Sequence, residues 1–222
     1  MDIAALIQTL SVYALPVVFA ITLHEAAHGY VANKLGDPTA AMQGRVTLNP
    51  WPHIDLLGTV IMPLALYLTT QGQFLFGYAK PVPVDWRNLG HPKRDMAWVA
   101  LAGPASNWLQ ALLWALLANA LILLSINEPF WLKVCEAGLR VNLVMFAFNL
   151  FPLPPLDGGR ILVGLLPWRA AVAVSRIEPY GFYVVLALVL LDVVSEWWLK
   201  PLMSLTLQSL EWVLWPLIGS FH

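Results

Sequence analysis

Charged side chains are scarce in this chain: 12 Lys or Arg and 13 Asp or Glu among 222 residues. That is too few to cover a soluble domain of this size, so a water-facing globule is excluded. None of the four charged types occurs between Ile3 and Leu23. A formal net charge of −1 gives no basic surface for nucleic acid. Cys135 is the single cysteine, which excludes an intrachain disulfide and a cysteine-based zinc site. Its apolar neighbours mark it as a packing residue. The N-terminus has no basic region ahead of its apolar run, so a cleaved signal peptide is not expected. Gly/Ser linkers, charge blocks and repeats are missing as well. The expectation is one membrane-embedded domain over residues 1–222. What remains is 59% hydrophobic, with 11 Trp and 6 Tyr suited to membrane interfaces.

Against that background the stretch Ile21–Tyr30 stands out, because it holds His24-Glu25-x-x-His28. Positions i and i+4 share a helix face, so both imidazoles can reach one metal ion. Zinc takes such nitrogens and in catalytic sites keeps a position for water. Glu25 can stand beside that water and take its proton. The bland alternative is a pair of buried histidines bonded to neighbours. Ionisable groups inside a membrane helix are costly, however, and usually functional.

The rest of the chain is expected to form about six membrane segments. The first, Ile3–Leu35, ends at Gly36-Asp37-Pro38. Gly44–Pro50 has enough alternation for a short strand. His53-x-Asp55 is either a polar cluster at the membrane edge or a gating or site-lining pair. Ile54–Leu68 is a short second segment, interrupted by Pro63, that spans or re-enters. Lys80-Pro81-Val82-Pro83-Val84 suits an exposed edge strand that could pair with an unwound peptide, or a structured loop. Segment 3, Met96–Leu124, carries Asn107, which needs either another helix or a substrate backbone as partner. Segment 4, Phe130–Leu150, runs into a proline-broken stretch ending in Asp157-Gly158-Gly159. Such a break at membrane depth is tolerated only inside protein or against water. Asp157 is either the N-cap after a proline-rich interhelical loop or a natural third zinc ligand, since hydrolytic zinc commonly takes two His and a carboxylate, and Asn149 can donate to a developing oxyanion. Segments 5 and 6 are Tyr180–Leu199 and Pro201–Leu217.

These motifs resemble the site-2 protease family of intramembrane zinc metalloproteases. The match is His24-Glu25-x-x-His28, Gly103-Pro-x-x-Asn107 and Asn149-x-x-Pro-x-Pro-Pro-Leu-Asp157-Gly158. Gly44-Arg45…Asn49-Pro50-x-x-His53-x-Asp55 and Ala79–Val84 look like the short prokaryotic branch without PDZ domains. One departure is Leu56, where the pattern has proline after Asp55. The resemblance implies one zinc ion bound by His24, His28 and Asp157. It makes Glu25 the general base, with Asn149 and Asn107 assisting substrate. It also implies a multi-pass protein of a prokaryotic inner membrane that cuts membrane-spanning substrate proteins in the lipid bilayer. The rival classes are a zinc-binding membrane transporter and an inactive protease-like scaffold. The first gives Glu25 no task, and the complete catalytic set argues against the second.

Overall fold

The computed structural model describes residues 3–62, 64–65, 77, 79–126 and 128–218. It is helical, with no β-strand among the described residues. The helices are α1 (Ile3–Lys34), α2 (Thr39–Met42), α3 (Pro92–Leu123), α4 (Pro129–Asn149), α5 (Asp157–Leu165), α6 (Trp168–Ser175), α7 (Glu178–Leu190) and α8 (Lys200–Ile218). Long apolar runs without charge make α1 and α3 the longest, at 32 residues each. Proline at position 16 and at position 104 stays inside these helices. Helices α1, α3, α4 and α5 pack together as the body of the protein.

Polarity is distributed inside out. Ile7, Leu10, Phe19, Leu109, Leu113 and Leu117 are exposed on α1 and α3, while His24, Asn107, Gln110, Asn142 and Asp157 are buried. An apolar exterior around a polar interior suits lipid as the solvent. Apolar contacts join the layers: Val12 on α1 meets Val134 and Ala137 on α4 beside Trp114, and Ala111, Leu143 and Leu210 bring α3, α4 and α8 together.

Two helices, Leu6–Lys34 within α1 and Pro92–Leu123, are long and apolar enough to cross a membrane. The count is three if α6 and α7, which meet at 67°, form one bent span. The six segments expected from the sequence are therefore not reached among the described residues. Segment 4 does form a helix, α4, but Lys133, Glu136 and Arg140 lie in it. Segment 5 breaks at Asp192, whose φ of 57° is left-handed, so α7 has only 13 residues. In segment 2 a wide π turn covers Leu56–Ile61, and whether it spans lies outside the described residues. The expected strand at Gly44–Pro50 is a loop. Thr47 Oγ1 accepts from the Asn49 N–H and Asn49 Oδ1 from the Trp51 N–H, local bonds that favour turns over a ladder. Lys80–Val84 likewise pairs with no strand among the described residues.

Asp37 ties the end of α1 to the chain before α3. It is fully buried and accepts from the Thr39 N–H and Oγ1–H, the Asp85 N–H and Asn88 Nδ2. Burial alone would raise its pKa, but the donors from Asn88, Thr39 and Asp85 outweigh it and hold the carboxyl below the usual carboxylate range. A depressed folded-state pKa gives stability that is present above the unfolded value and lost as pH falls through the folded one. Asp37→Asn is therefore expected to cost about 1–3 kcal/mol at pH 7. That gap should narrow once pH drops below about 4. Thermal unfolding of metal-free protein at both pH values checks this, and a gap independent of pH would contradict it.

Candidate metal centre

Helix α1 carries His24 and His28 one turn apart, facing α3. Their rings meet edge to face with centroids 4.7 Å apart. Asp157 arrives from the other side as the first residue of α5. The preceding segment is broken by Pro152, Pro154 and Pro155, and α5 folds back against it so closely that a Cβ on Gly158 would strike the Leu150 carbonyl. Glycine at that position thus sets where the Asp157 carboxylate stands. Nε2 of His24 and Nε2 of His28 are 3.1 Å apart, and Asp157 Oδ2 lies 3.2 Å from the first and 3.4 Å from the second. Three donors 2.0–2.1 Å from one ion at tetrahedral angles would stand about 3.3–3.4 Å apart, so this triangle has the size of one face of a zinc tetrahedron.

Protons can be assigned around this triangle from its outer partners. His28 Nδ1 is 2.7 Å from the Val99 carbonyl, which only accepts, so Nδ1 carries the hydrogen. His24 Nδ1 is 2.6 Å from Asn107 Oδ1. Asn107 Nδ2 donates to Asn142 Oδ1 at 2.8 Å and to the Ala20 carbonyl at 3.3 Å. Asn142 Nδ2 in turn donates to the Gly138 carbonyl at 2.9 Å. The chain of donors ends on a carbonyl, so its direction is fixed and His24 Nδ1 also carries its hydrogen. With both rings neutral, as metal binding requires, both Nε2 atoms present lone pairs toward the buried Asp157 Oδ2. Three lone pairs gathered without a proton repel one another unless a cation lies among them. The donor set, two imidazoles and a carboxylate, is one that zinc takes. Among the described residues this is the only such cluster of His, Cys, Asp or Glu.

Gly103 completes the enclosure. A Cβ there would lie 2.6 Å from His24 Nε2 and Cε1, and nearer still to His28 Nε2. Glu25, on the adjoining face of α1, accepts from the Val82 N–H through Oε2 at 2.8 Å.

The remaining expected site residues are placed as follows. Asn107, expected at the substrate, is fully buried, with its oxygen on His24 and its amide nitrogen on Asn142 and Ala20. Asn149 is at the end of α4 and donates to the Met145 carbonyl one turn back. Asp55 Oδ1 caps the π turn by accepting from the Gly58 N–H. His53 is fully buried with Nε2 3.2 Å from the Thr47 carbonyl. Burial holds its pKa below the usual histidine value, against the Thr47 carbonyl, so the ring is neutral at pH 7. Of Lys80–Val84, only Val82 is buried. Sequence reasoning passed over Asn142, Arg45 and the Val99 carbonyl. An asparagine within apolar α4 was a usable signal for the first, because a polar side chain there needs a partner.

The chain is similar to several known proteins. The model of Peptidase family M50 matches residues 125–191, the part that contains Asp157. The Bacillus subtilis (strain 168) protein named "Putative zinc metalloprotease YwhC" is 37% identical over 211 residues, 91% of this chain and 84% of that protein. Proteins called Rip2, with the same wording before the name, are also similar. The one from Mycolicibacterium smegmatis is 26% identical over 188 residues, 82% of this chain and 67% of its own length. The one from Mycobacterium tuberculosis (strain H37Rv) is 28% identical over 178 residues, 80% and 66% respectively. No solved structure matches. A relative of more than a third identity along nearly the full length, and a family match over the segment that contains Asp157, together mean that this chain belongs to peptidase family M50.

Proposed function

We propose that this chain is a zinc metalloprotease that hydrolyses peptide bonds within the membrane-spanning segments of substrate proteins. The observation that carries the proposal is the triangle of converging donor atoms from His24, His28 and Asp157, with the Glu25 carboxylate on the next face of the same helix. The names of the relatives and the apolar exterior support the metal and the setting. A zinc ion held there supplies Lewis acidity, which acidifies a water and polarises a carbonyl.

The protein's own groups do the rest. Asn107 and the Val99 carbonyl keep both imidazoles in the tautomer that offers Nε2. Glu25 takes the water's proton and returns it to the leaving amine. Because Oε2 accepts from Val82, Oε1 is the oxygen available for that transfer. Asn149, turned away from Met145, donates to the carbonyl oxygen as negative charge builds there. A helical substrate hides its carbonyls in its own hydrogen bonds and must unwind before cleavage. Lys80–Val84 is the segment proposed to receive the unwound chain, with exposed Lys80 and Pro81 at its outer end.

Basic groups gather at the same end of the bundle. Lys93 reaches the Leu166 carbonyl, Arg160 lies 5.4 Å from the Trp86 ring, and Arg94, Arg169 and Arg176 are in the adjoining elements. The positive-inside rule assigns that end to the cytoplasmic side of a prokaryotic inner membrane.

The test is metal removal from purified protein in liposomes with a single-span substrate. Chelation should stop cleavage, and one equivalent of zinc should restore it. Cleavage that persists in protein shown metal-free by elemental analysis would defeat the proposal.

A further inference from the structure

Arg45 is a buried cation, 7% exposed, with no carboxylate in ion-pair range among the described residues. An interior charge held only by dipoles is costly and calls for a reason. Its Nη2 donates to two successive carbonyls, Lys80 at 2.7 Å and Pro81 at 3.2 Å. The Lys80 N–H donates to the His53 carbonyl at 3.0 Å. The next residue with an amide hydrogen is Val82, because prolines 81 and 83 have none. That hydrogen goes to Glu25 Oε2. Arg45 and Glu25 thus grip adjacent links of the same short chain from opposite ends.

Local structure aims both grips. Two residues past the end of α2 stands Gly44, whose φ of 66° is left-handed, and the Arg45 N–H turns back to the Ala40 carbonyl at 2.9 Å. Gly29 follows Glu25 by one turn on α1. A Cβ there would lie 3.0–3.1 Å from side-chain atoms of Val46, Ala40 and Val82, so glycine allows both arms to close on α1.

We propose that Arg45 is a positioning residue for the proton-transfer step. By fixing the Lys80 and Pro81 carbonyls it holds the Val82 amide where it clamps one oxygen of Glu25, and so orients the other. The inference rests on the protease reading for the task of Glu25, but the clamp itself can be tested without any substrate. It differs from a purely substrate-facing role for Lys80–Val84, because the only amide hydrogen in Pro81–Pro83 faces the enzyme's own carboxylate.

The first arm measures hydrogen exchange in metal-free, substrate-free protein. A peptide covering residues 80–84 reports just the Val82 and Val84 amides, which fragmentation separates. The Val82 amide should be protected in the wild type. Arg45→Ala and Glu25→Ala should each speed its exchange about tenfold or more, the loss expected for one charge-assisted hydrogen bond. Glu25→Gln, which keeps an acceptor oxygen, should retain most of the protection. Glu25→Ala leaves Arg45 and its carbonyl contacts in place and so tests the Val82 grip alone, while Arg45→Lys, which keeps the charge, tests the Arg45 grip where Arg45→Ala folds poorly. The second arm measures cleavage by zinc-loaded protein. Arg45→Ala should lower kcat about tenfold or more with KM and zinc content unchanged, and Arg45→Lys should recover part of the loss. Unchanged Val82 exchange in Arg45→Ala and Glu25→Ala, or a rise in KM at constant kcat, would overturn the proposal. Wild-type protein that cleaves nothing would defeat the protease reading while the exchange arm still decides the clamp.

Discussion

Glu25→Gln is expected to reduce cleavage of a membrane-embedded substrate by about 10²–10⁴-fold, the range a positioned general base contributes, while zinc content stays at the wild-type level. The two halves of this expectation come from different atoms. In the proposed site metal is held by His24, His28 and Asp157, and the outer partners of the two rings, Asn107 and the Val99 carbonyl, form no hydrogen bond to Glu25. The substitution keeps the length of the side chain and leaves an oxygen to accept from the Val82 N–H, so the local fold is retained. What disappears is a group able to take a proton near neutral pH. The measurement pairs elemental analysis with initial rates on a single-span substrate. Rates within a few-fold of wild type would remove Glu25 from the proton-accepting role. Loss of zinc would instead mean that the carboxylate helps build the metal site.

The parts of this protein that could be read from its sequence are those where chemistry forces residue type and spacing together. His24 and His28 are legible because a helix turn and an apolar setting leave few uses for two imidazoles four residues apart. Asp157 is legible because a triple-proline break cannot remain helical and an acid follows it directly. Asn107 shows the limit. Its need for a partner is plain from the sequence, but the choice between a neighbouring helix and a substrate depends on α1, α3 and α4 meeting at one depth. Arg45 is harder still, since its partners are backbone carbonyls 35 and 36 residues away, and carbonyls carry no residue code. The segment count is not reached among the described residues for a related reason. Hydropathy registers apolar length, whereas Asp192 turns the chain with a single left-handed residue inside an apolar stretch. The expected strand at Gly44–Pro50 failed because alternation was read without its competitors. Thr47 and Asn49 satisfy the backbone locally, and the chain folds in so that Arg45 points inward.

Gly103→Ala is expected to cut zinc affinity by about 100-fold or more, at or beyond the upper end of what losing an outer-shell partner does. A single methyl group is the whole change. It would sit 2.6 Å from His24 Nε2 and closer to His28 Nε2, the two atoms that would bind the ion. A flexible side chain would step aside at little cost, but neither imidazole can. His28 is held at Nδ1 by the Val99 carbonyl, and His24 by Asn107, which is itself anchored on Asn142 and Ala20. Moving either ring far enough to admit a Cβ breaks its outer hydrogen bond, the Nε2 triangle, or both. Alanine is also a better helix former than glycine, so α3 itself gains from the change. Overpacking the two fixed rings costs about 1–3 kcal/mol, more than that gain, so the metal-free variant should unfold somewhat below metal-free wild type, while the stabilisation that zinc gives the wild type should be nearly absent. Zinc titration followed by thermal unfolding measures both quantities on one sample. Wild-type affinity in Gly103→Ala would mean that α3 stands farther from the two histidines than the close packing at Gly103 requires, and the tautomer assignment through Asn107 would fall with it.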